Sequence, residues 1–456
     1  RMTTSTVNVN AVIDQAKFTP FHWSILLWCL LIIIFDGYDL VIYGVVLPLL
    51  MQEWSLTSVQ AGMLASTALC GMMFGAMLFG ALADKIGRKN VILICVTFFS
   101  GFTFLGAFAS NPFEFGILRF LAGLGIGGVM PNLVALTSEY APKRIRSTLV
   151  GTMFSGYAIG GILSALIGSY LVESQGWQIM FLIAGIPLIL LPVIWKFLPE
   201  SLTFLVKTGK TDQAHSIIQK ISPEQSIGIN TRLVLNEDNV PTGSSVKGLF
   251  QQGRAFNTLM FWVLFFMCLL MVYALSSWLP KLMLAAGYSL GKSILFLFAL
   301  NVGAMIGSIG GGILSDKFHL KPVIMGMLMA GVVALIGLGF NSPAYVLYGL
   351  VTVAGAATIG TSILLYSYVA QYYPLSVRST GIGCASGVGR IGAIVGPILT
   401  GLLLTLNLPH TMNFVMISVP AMLAICAILS LKRHKFDDEQ QQVEEVKTSL
   451  TESSNA

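Results

Sequence analysis

Residues 80–89 read GALADKIGRK, and residues 312–321, at an offset of 232 positions, read GILSDKFHLK. A second pair at the same offset is EYAPKRIRST at 139–148 and QYYPLSVRST at 371–380. Two matches at one offset indicate that the second half of the chain repeats the first. Such repeats are typical of two similar helix bundles that enclose a central site.

The composition places this repeat in a membrane. Of 456 residues, 55% are hydrophobic and 10% are charged, and the mean hydropathy is +0.80, whereas about a quarter of a soluble domain is charged. Apolar stretches of about 20 residues, long enough to cross a bilayer, recur along the chain. We therefore predict an all-α membrane protein whose twelve transmembrane helices form two pseudo-symmetric six-helix bundles. The predicted spans lie near 24–50, 57–82, 90–109, 113–137, 147–171, 177–198, 256–279, 290–314, 322–340, 344–371, 379–405 and 411–431.

The predicted domains follow from these spans. They are an N-terminal bundle at 1–198, a polar central loop at 199–255, a C-terminal bundle at 256–435 and a disordered tail at 436–456. Lys and Arg concentrate in the loops on the side that also carries both ends of the chain. By the positive-inside rule, this side is expected to face the cytoplasm.

Several function classes find no support in the sequence. The cysteines and histidines lack the spacing of metal ligands, and no nucleophile elbow, Walker loop or zinc-protease motif is present. GLGIGG at 123–128 matches the dinucleotide fingerprint, but it lies inside a span with no preceding strand, so close helix packing explains it better. The net charge of +6 belongs to short loops between spans. We expect no enzyme activity, no metal or cofactor and no nucleic-acid partner.

Ionisable residues inside the spans are the strongest functional candidates. IIIFDGYDLVIY at 32–43 holds Asp36 and Asp39, while Arg119 and Arg390 lie in the fourth and eleventh spans. A charge at the bilayer centre costs about 2.5–3.5 kcal/mol on insertion scales, so each is expected to face the bundle interior. The helical rise places all four near the midplane. The two acids are three residues apart and share one helix face.

Two nearby carboxylates in a low dielectric cannot both ionise cheaply, so one of the acids is expected to take up and release a proton. Arg390 offers a planar fork that matches a substrate carboxylate. We expect Gly389 and Gly392 to open space beside its guanidinium. The repeat partner of Arg390 is Ala158, so the first half has no matching basic group. The structural alternative is that Arg390 pairs with Asp36 and only holds the halves together.

Two motifs point to a known family. GALADKIGRK resembles the signature loop of the major facilitator superfamily, and FDGYD at 35–39 resembles the first-helix DGxD motif of its aromatic acid:proton symporter family. The substrate class comes from this resemblance and not from the residue spacing. It implies a carrier that imports benzoate, hydroxybenzoates and related acids by proton symport. It further implies a multi-pass protein of the bacterial cytoplasmic (inner) membrane, with both termini cytoplasmic. The expected partners are a small aromatic carboxylate, protons and the lipid bilayer, and nothing requires more than a monomer.

The resemblance and the depth estimate together assign the site residues. The proton-coupling group is predicted to be Asp36, Asp39, Arg119 and Glu139. The substrate carboxylate is expected at Arg390, with aromatic side chains at similar depth that either contact the ring or pack between helices: Tyr38, Tyr43, Tyr157, Trp278 and Tyr366. A cytoplasmic latch, to which Glu139 is also assigned, is predicted from Asp84, Arg88, Arg144, Arg146, Asp316 and Arg378. The second loop copy departs from the motif, because His319 and Leu320 replace its Gly-Arg pair.

Two other functions are compatible with the sequence. One is a proton-coupled carrier of a non-aromatic organic anion, such as a dicarboxylate or a muconate-type acid. The other is a transporter-like receptor that signals through the central loop without carrying a solute. Uptake of labelled solutes into proteoliposomes separates these functions from the import of aromatic acids.

Overall fold

The computed structural model describes residues 5–224, 227–228, 230–235, 246–373 and 375–432, without the side chains of Ser147, Leu375, Ser376, Arg378 and Ser379. The tail predicted to be disordered, 436–456, lies outside these residues. The described helices are α1 (Val9–Asp14), α2 (Pro20–Glu53), α3 (Ser58–Ile86), α4 (Arg88–Gly106), α5 (Pro112–Tyr140), α6 (Arg146–Gln175), α7 (Gln178–Ile183), α8 (Ile186–Phe197), α9 (Leu202–Lys207), α10 (Thr211–Ile221), α11 (Ala255–Ala285), α12 (Leu290–Phe318), α13 (Leu320–Leu338), α14 (Ala344–Gly355), α15 (Thr361–Tyr372), α16 (Leu375–Thr405) and α17 (His410–Ser430).

Four short elements complete the described chain. A π-helical stretch, Ala356–Gly360, joins α14 to α15, and a 3₁₀ turn covers Val246–Leu249. Strands β1 (Thr6–Asn8) and β2 (Arg232–Val234) pair in parallel, which fastens the N-terminal segment to the central loop.

In the described part of the chain, twelve spans are long and apolar enough to cross a membrane, which confirms the predicted number. The sixth span consists of α7 and α8, and the tenth of α14, the π-helical stretch and α15. The boundaries of the predicted domains stay predictions.

The repeat extends to the helix ends. An offset of 232 carries the ends of α3 onto the ends of α12, and those of α4 onto α13. Thr57 caps α3 by accepting a hydrogen bond from a backbone N–H, and its repeat partner Ser289 does the same for α12. The turns after these helices also agree, because Gly87 and His319 both have positive φ, at 93° and 71°. The second copy therefore keeps the backbone conformation of the first with a residue that is less suited to it.

We call the membrane face that holds the N-terminal segment and the central loop the terminal side, and the opposite face the far side. The bundles touch closely in their far halves. There, Gly44 of α2 packs on the carbonyl of Ser276 in α11, and Gly401 of α16 packs on the carbonyl of Ser58 in α3. Ser66 of α3 also donates a hydrogen bond to a carbonyl of α16. These contacts close the far side.

The bundles separate toward the terminal side. A Cβ atom placed at Gly80 of α3, Gly151 of α6, Gly312 of α12 or Gly383 of α16 would meet no heavy atom within 4 Å. All four positions lie in the terminal halves of their helices. Together with the contacts in the far halves, we interpret this as a cavity between the two bundles that is open to the terminal side.

Candidate functional site

Asp36 and Asp39 occupy the middle of α2, and both are buried. Gly37 lies between them and packs directly on the backbone of Tyr157 in α6. Gly160, one turn further along α6, packs on the backbone of α2 in the same way. The two glycines permit the close approach of α2 and α6, and this approach brings Tyr157 to the acids.

Asp39 and Arg119 meet inside the N-terminal bundle. An Nη atom of Arg119 donates a hydrogen bond to the main-chain carbonyl of Asp39 at 3.2 Å, and the Asp39 carboxylate accepts one from Thr103 Oγ1 at 3.3 Å. No Arg119 nitrogen lies within 4.0 Å of a described carboxylate oxygen. The guanidinium and the carboxylate attract each other across this small gap. Arg119 is therefore a neighbouring charge to Asp39 rather than a contact ion pair.

Asp36 has fewer partners than Asp39. Neither of its carboxylate oxygens forms a hydrogen bond of normal geometry with any described group, and neither do Nε and Nη1 of Arg119. The nearest polar group is the Tyr157 hydroxyl, which interacts with Asp36 from α6. An ionised carboxylate is strongly unfavourable in such surroundings. The acid pair is thus well suited to holding a proton.

Arg390 is the sixteenth of the 31 residues of α16, at the centre of the span. Its side chain is half-buried, and in the described part of the chain it forms no ion pair with Asp36 or any other acid. The predicted role of its neighbouring glycines was wrong. Gly389 packs on Leu269 and Gly392 on the backbone of Phe266, so both serve the contact between α16 and α11.

Two other glycines provide the open space beside Arg390. Gly383, Ser386, Gly387 and Arg390 follow the spacing of one helix face. A Cβ at Gly383 or Gly387 would meet nothing within 4 Å, so this face borders open space. The hydroxyl of Tyr366 in α15 lies 3.2 Å from Ser386 Oγ on the same face. Of the predicted aromatic residues, Tyr366 lies beside the Arg390 face.

Tyr273 of α11 connects the two halves of the site. It interacts electrostatically with Arg390 and Tyr366 on one side and with Asp36 on the other. It was absent from the predicted site because one tyrosine in an apolar span carries no motif. Its repeat partner Val41 is apolar, so a comparison of the two halves of the sequence is the one feature that could have singled out Tyr273. We use the name central site for Asp36, Tyr157, Tyr273, Tyr366 and Arg390.

The remaining predicted aromatics have their polar atoms engaged between helices. Tyr38 donates to the carbonyl of Met180 at 2.7 Å, and Tyr43 donates to the carbonyl of Ala61 at 2.6 Å. Trp278 is fully buried and donates to the carbonyl of Pro397 at 3.0 Å. The structure thus places all three in helix packing and does not bring them to the central site.

Glu139 lies far from the acid pair. It is twenty residues from Arg119 on α5, about 30 Å along the helix axis. Its carboxylate accepts hydrogen bonds from Ser201 Oγ and from the backbone N–H of Thr203, both at 2.6 Å. Glu139 therefore ties the terminal end of α5 to the start of α9. The structure does not bring it together with the proton-coupling group.

The predicted latch residues are not joined across the bundles. Asp84, Arg144 and Asp316 are exposed, and among the described side chains no ion pair links the latch residues of one bundle to those of the other. The side chain of Arg378 lies outside the described part. This arrangement agrees with the separation of the bundles on the terminal side.

Two of the predicted latch residues have partners inside the N-terminal bundle. Arg88 donates to Asn132 at 3.1 Å. Arg146 pairs with Asp14 at 2.7 Å and also donates to the carbonyls of Ser138 and Ala141. Arg146 therefore fastens the N-terminal segment to the α5–α6 turn.

The comparisons with known proteins agree with this architecture. The family model described as Major Facilitator Superfamily matches residues 29–340 and 294–454. Among solved structures, the chain resembles the xylose transporter XylE from Escherichia coli in a partially occluded inward open conformation. The TM-score is 0.72 with 19% identity, over 91% of this chain and 98% of that one. This likeness supports the fold.

Curated relatives cover nearly the whole chain. The chain is 54% identical over 428 residues to the benzoate transport protein of Acinetobacter baylyi, with 92% of each chain covered. It is 37% identical over 434 residues to the 4-hydroxybenzoate transporter PcaK of the same organism, with 93% of this chain and 94% of the relative covered. The chain is therefore a multi-pass membrane transporter and not an enzyme, and it belongs to the aromatic acid transporter family of the major facilitator superfamily.

Proposed function

We propose that this chain imports aromatic carboxylates of the benzoate or hydroxybenzoate type together with protons, by alternating access across a bacterial inner membrane. It acts as a monomer with both termini in the cytoplasm and needs no cofactor besides the coupling proton. The observation that carries this proposal is the placement of Arg390. A guanidinium without an ion-pair partner among the described residues stands at mid-membrane beside open space, near Tyr157 and Tyr273, which interact electrostatically with both Arg390 and Asp36.

The substrate carboxylate binds at Arg390. An arginine keeps its charge and presents a planar donor fork to a carboxylate. The aromatic ring then lies among Tyr273, Tyr366 and Tyr157, whose ring faces and edges suit another ring. The benzoate and 4-hydroxybenzoate transporters among its relatives support this substrate class.

The proton binds to the Asp36–Asp39 pair. With one proton, the pair carries a single negative charge, which Arg119 balances. Without a proton, it carries a second charge, for which Arg390 is the available counter-ion across the central site. Because Tyr157 and Tyr273 each interact electrostatically with both Asp36 and Arg390, they provide the polar link for this exchange. We treat the acids as one titrating unit, as strongly interacting sites require.

This arrangement couples the two cargoes by charge balance. In the loaded carrier, the substrate neutralises Arg390 and the proton neutralises the extra acid charge. In the empty carrier, the deprotonated pair and Arg390 neutralise each other. With only one cargo bound, a charge without a partner would have to enter a closed, low-dielectric site, at an effective cost of several kcal/mol. Therefore only the carrier with both cargoes bound and the empty carrier switch readily between the form open to one side of the membrane and the form open to the other.

The decisive experiment is uptake into proteoliposomes under an imposed pH gradient. Labelled benzoate and 4-hydroxybenzoate should accumulate when the outside is acidic, and a protonophore should abolish the accumulation. Muconate serves as the non-aromatic comparison. Accumulation of muconate but of neither aromatic acid would favour a non-aromatic anion carrier, and accumulation that ignores the protonophore would exclude proton symport.

A further inference from the structure

The Tyr366–Ser386 pair is a feature of the central site that neither the proton nor the substrate carboxylate uses. Their hydroxyl oxygens are 3.2 Å apart, one on α15 and one on α16. Tyr366 is 38% exposed, so its hydroxyl is reachable from the open space. Its ring is held in place by Phe265, edge to face at 5.1 Å and 90°. The pair is therefore a fixed polar group on the wall of the cavity.

The position of Ser386 relates this pair to the substrate. Ser386 precedes Arg390 by four residues, so the two side chains share one face and are separated by about 6 Å along the helix. Gly383 and Gly387 keep the face clear of side chains. A ring whose carboxylate is bound at Arg390 therefore borders the same open face of α16 as the hydroxyl pair.

The repeat shows that these groups are specific to the second half. The repeat partners of Tyr366 and Ser386 are Val134 and Phe154, neither of which can form a hydrogen bond through its side chain. Arg390 likewise corresponds to an alanine. The polar groups on this wall are therefore not required by the shared bundle architecture. Their clustering around one guanidinium points to the ligand.

We propose that Tyr366 and Ser386 together form a recognition site for a hydroxyl substituent on the ring of the aromatic acid. The inference rests on the proposed function and specifies its substrates further. Each of the two side-chain hydroxyls can both donate and accept a hydrogen bond. A ring hydroxyl placed between them replaces their single mutual bond by two bonds.

An unsubstituted ring is also accepted by this arrangement. When benzoate is bound, Tyr366 and Ser386 stay bonded to each other, so no polar group loses its partner against the apolar ring edge. An unpaired polar group would otherwise carry a substantial penalty. The pair therefore improves the binding of hydroxylated acids without excluding benzoate, which gives the carrier a broad substrate range.

Equilibrium binding to purified protein tests the proposal with benzoate, 4-hydroxybenzoate and 2-hydroxybenzoate. The double variant that combines Tyr366→Phe with Ser386→Ala should weaken the binding of 4-hydroxybenzoate by about fivefold, because the ring hydroxyl gains one net hydrogen bond from the pair and none from the two apolar side chains. Benzoate should change by less than about twofold by the same reasoning, since its ring makes no such bond. The hydroxyl of 2-hydroxybenzoate bonds to its own carboxylate, so this acid should behave like benzoate.

Matched controls remove equivalent groups elsewhere. Tyr170 is 80% exposed on α6, and Tyr170→Phe should alter no affinity. Ser308→Ala removes a hydroxyl that bonds only to its own helix at Ala304. Equal losses for benzoate and 4-hydroxybenzoate in Tyr366→Phe would overturn the proposal, because they would place the pair in carboxylate binding or in helix packing. An unchanged affinity for 4-hydroxybenzoate in the double variant would overturn it as well.

A measurement on the unaltered protein keeps the test decisive if a variant does not fold. The methyl group of 4-methylbenzoate has about the size of the hydroxyl but forms no hydrogen bond. The proposal requires that 4-hydroxybenzoate bind more tightly than 4-methylbenzoate, and the reverse order would overturn it. If no aromatic acid binds or is transported at all, the proposed function fails. If aromatic acids are transported without discrimination of the hydroxyl, only the present inference fails.

Discussion

Arg119 is anchored to Asp39 through the main chain: its guanidinium donates to the Asp39 carbonyl at 3.2 Å, while the Asp39 carboxylate accepts from Thr103 instead. The bond to a carbonyl does not depend on whether the carboxyl group is ionised. Arg119 can therefore keep its position while the acid pair gains or loses a proton. A contact ion pair would be broken by each protonation, whereas this geometry would keep the positive charge in place through the proposed cycle.

The acid pair yields a prediction about coupling. Asp39→Asn and Asp36→Asn each leave one acid beside Arg119. Each variant therefore permanently has the single negative charge of the protonated pair. Both variants should lose accumulation driven by a pH gradient but keep exchange of labelled for unlabelled benzoate across the membrane. Gradient-driven uptake and exchange, measured in the same proteoliposomes, check this. Wild-type uphill uptake by Asp39→Asn would remove the pair from proton coupling.

Arg390 yields a prediction about the substrate carboxylate. A charge-assisted bidentate contact contributes roughly 1.5–3 kcal/mol, and a lysine ammonium lacks the planar fork. Arg390→Lys should therefore weaken benzoate binding by about tenfold or more, and Arg390→Ala should weaken it further. Titration of purified, folded protein measures the effect. Benzamide, the uncharged analogue, is the control, and equal losses for acid and amide would make Arg390 a structural residue.

Much of the fold followed from the sequence because it depends on local rules. Span number comes from hydropathy, and the ends of α12 and α13 follow from those of α3 and α4 by the repeat. The site was harder to predict. Asp36 and Arg390 stand out as charges in apolar spans, but the helical rise gives only their depth. It does not tell which groups face one another across the bundles.

The errors have two physical causes, the rotation of a helix about its own axis and contacts with segments that are distant in sequence. Gly389 and Gly392 were expected beside open space, yet they face α11, while Gly383 and Gly387 face the cavity. The sequence does not give this rotation because every side of α16 is rich in small or apolar residues. Glu139 was assigned to coupling from the family resemblance, whereas its partners, Ser201 and Thr203, lie 62 and 64 residues later in the chain.

Arg146 and Asp84 were both assigned to the latch, and the structure suggests that they differ. Arg146 bonds to Asp14 and to two carbonyls of the α5–α6 turn. Arg146→Ala should therefore lower the thermal stability of the purified protein, because the loss of hydrogen bonds from a charged group costs about 1.5–3 kcal/mol each. Asp14→Asn should reproduce part of the loss. If the melting temperature of Arg146→Ala matched that of the wild type, the anchoring role would be wrong.

Asp84 is exposed in the form that is open to the terminal side. If it acts only when that side closes, Asp84→Asn should slow transport several-fold and leave the equilibrium affinity for benzoate nearly unchanged. Parallel measurement of initial uptake rates and of binding to purified protein separates the two effects. A large loss of affinity would show that Asp84 contributes to the bound state and not only to gating.

The last prediction concerns the balance between the two open forms. Gly401 of α16 packs so closely on the carbonyl of Ser58 in α3 that a larger residue must push the bundles apart on the far side. Gly401→Val should therefore disfavour the form seen here and favour one that is open to the far side and closed to the terminal side.

A reporter cysteine, Gly383→Cys, measures the change, since residue 383 borders the open cavity. The background should carry Cys70→Ser, Cys384→Ser and Cys426→Ser, because these three thiols are not fully buried, whereas the other described cysteines are. An impermeant thiol reagent applied from the terminal side should label the reporter readily in the parent and several-fold more slowly with Gly401→Val. Gly349→Ala is the matched control, because a Cβ there would meet nothing within 4 Å. Equal labelling rates in a folded Gly401→Val protein would show that the far-side seam tolerates the added volume and that the glycine contact does not set the balance.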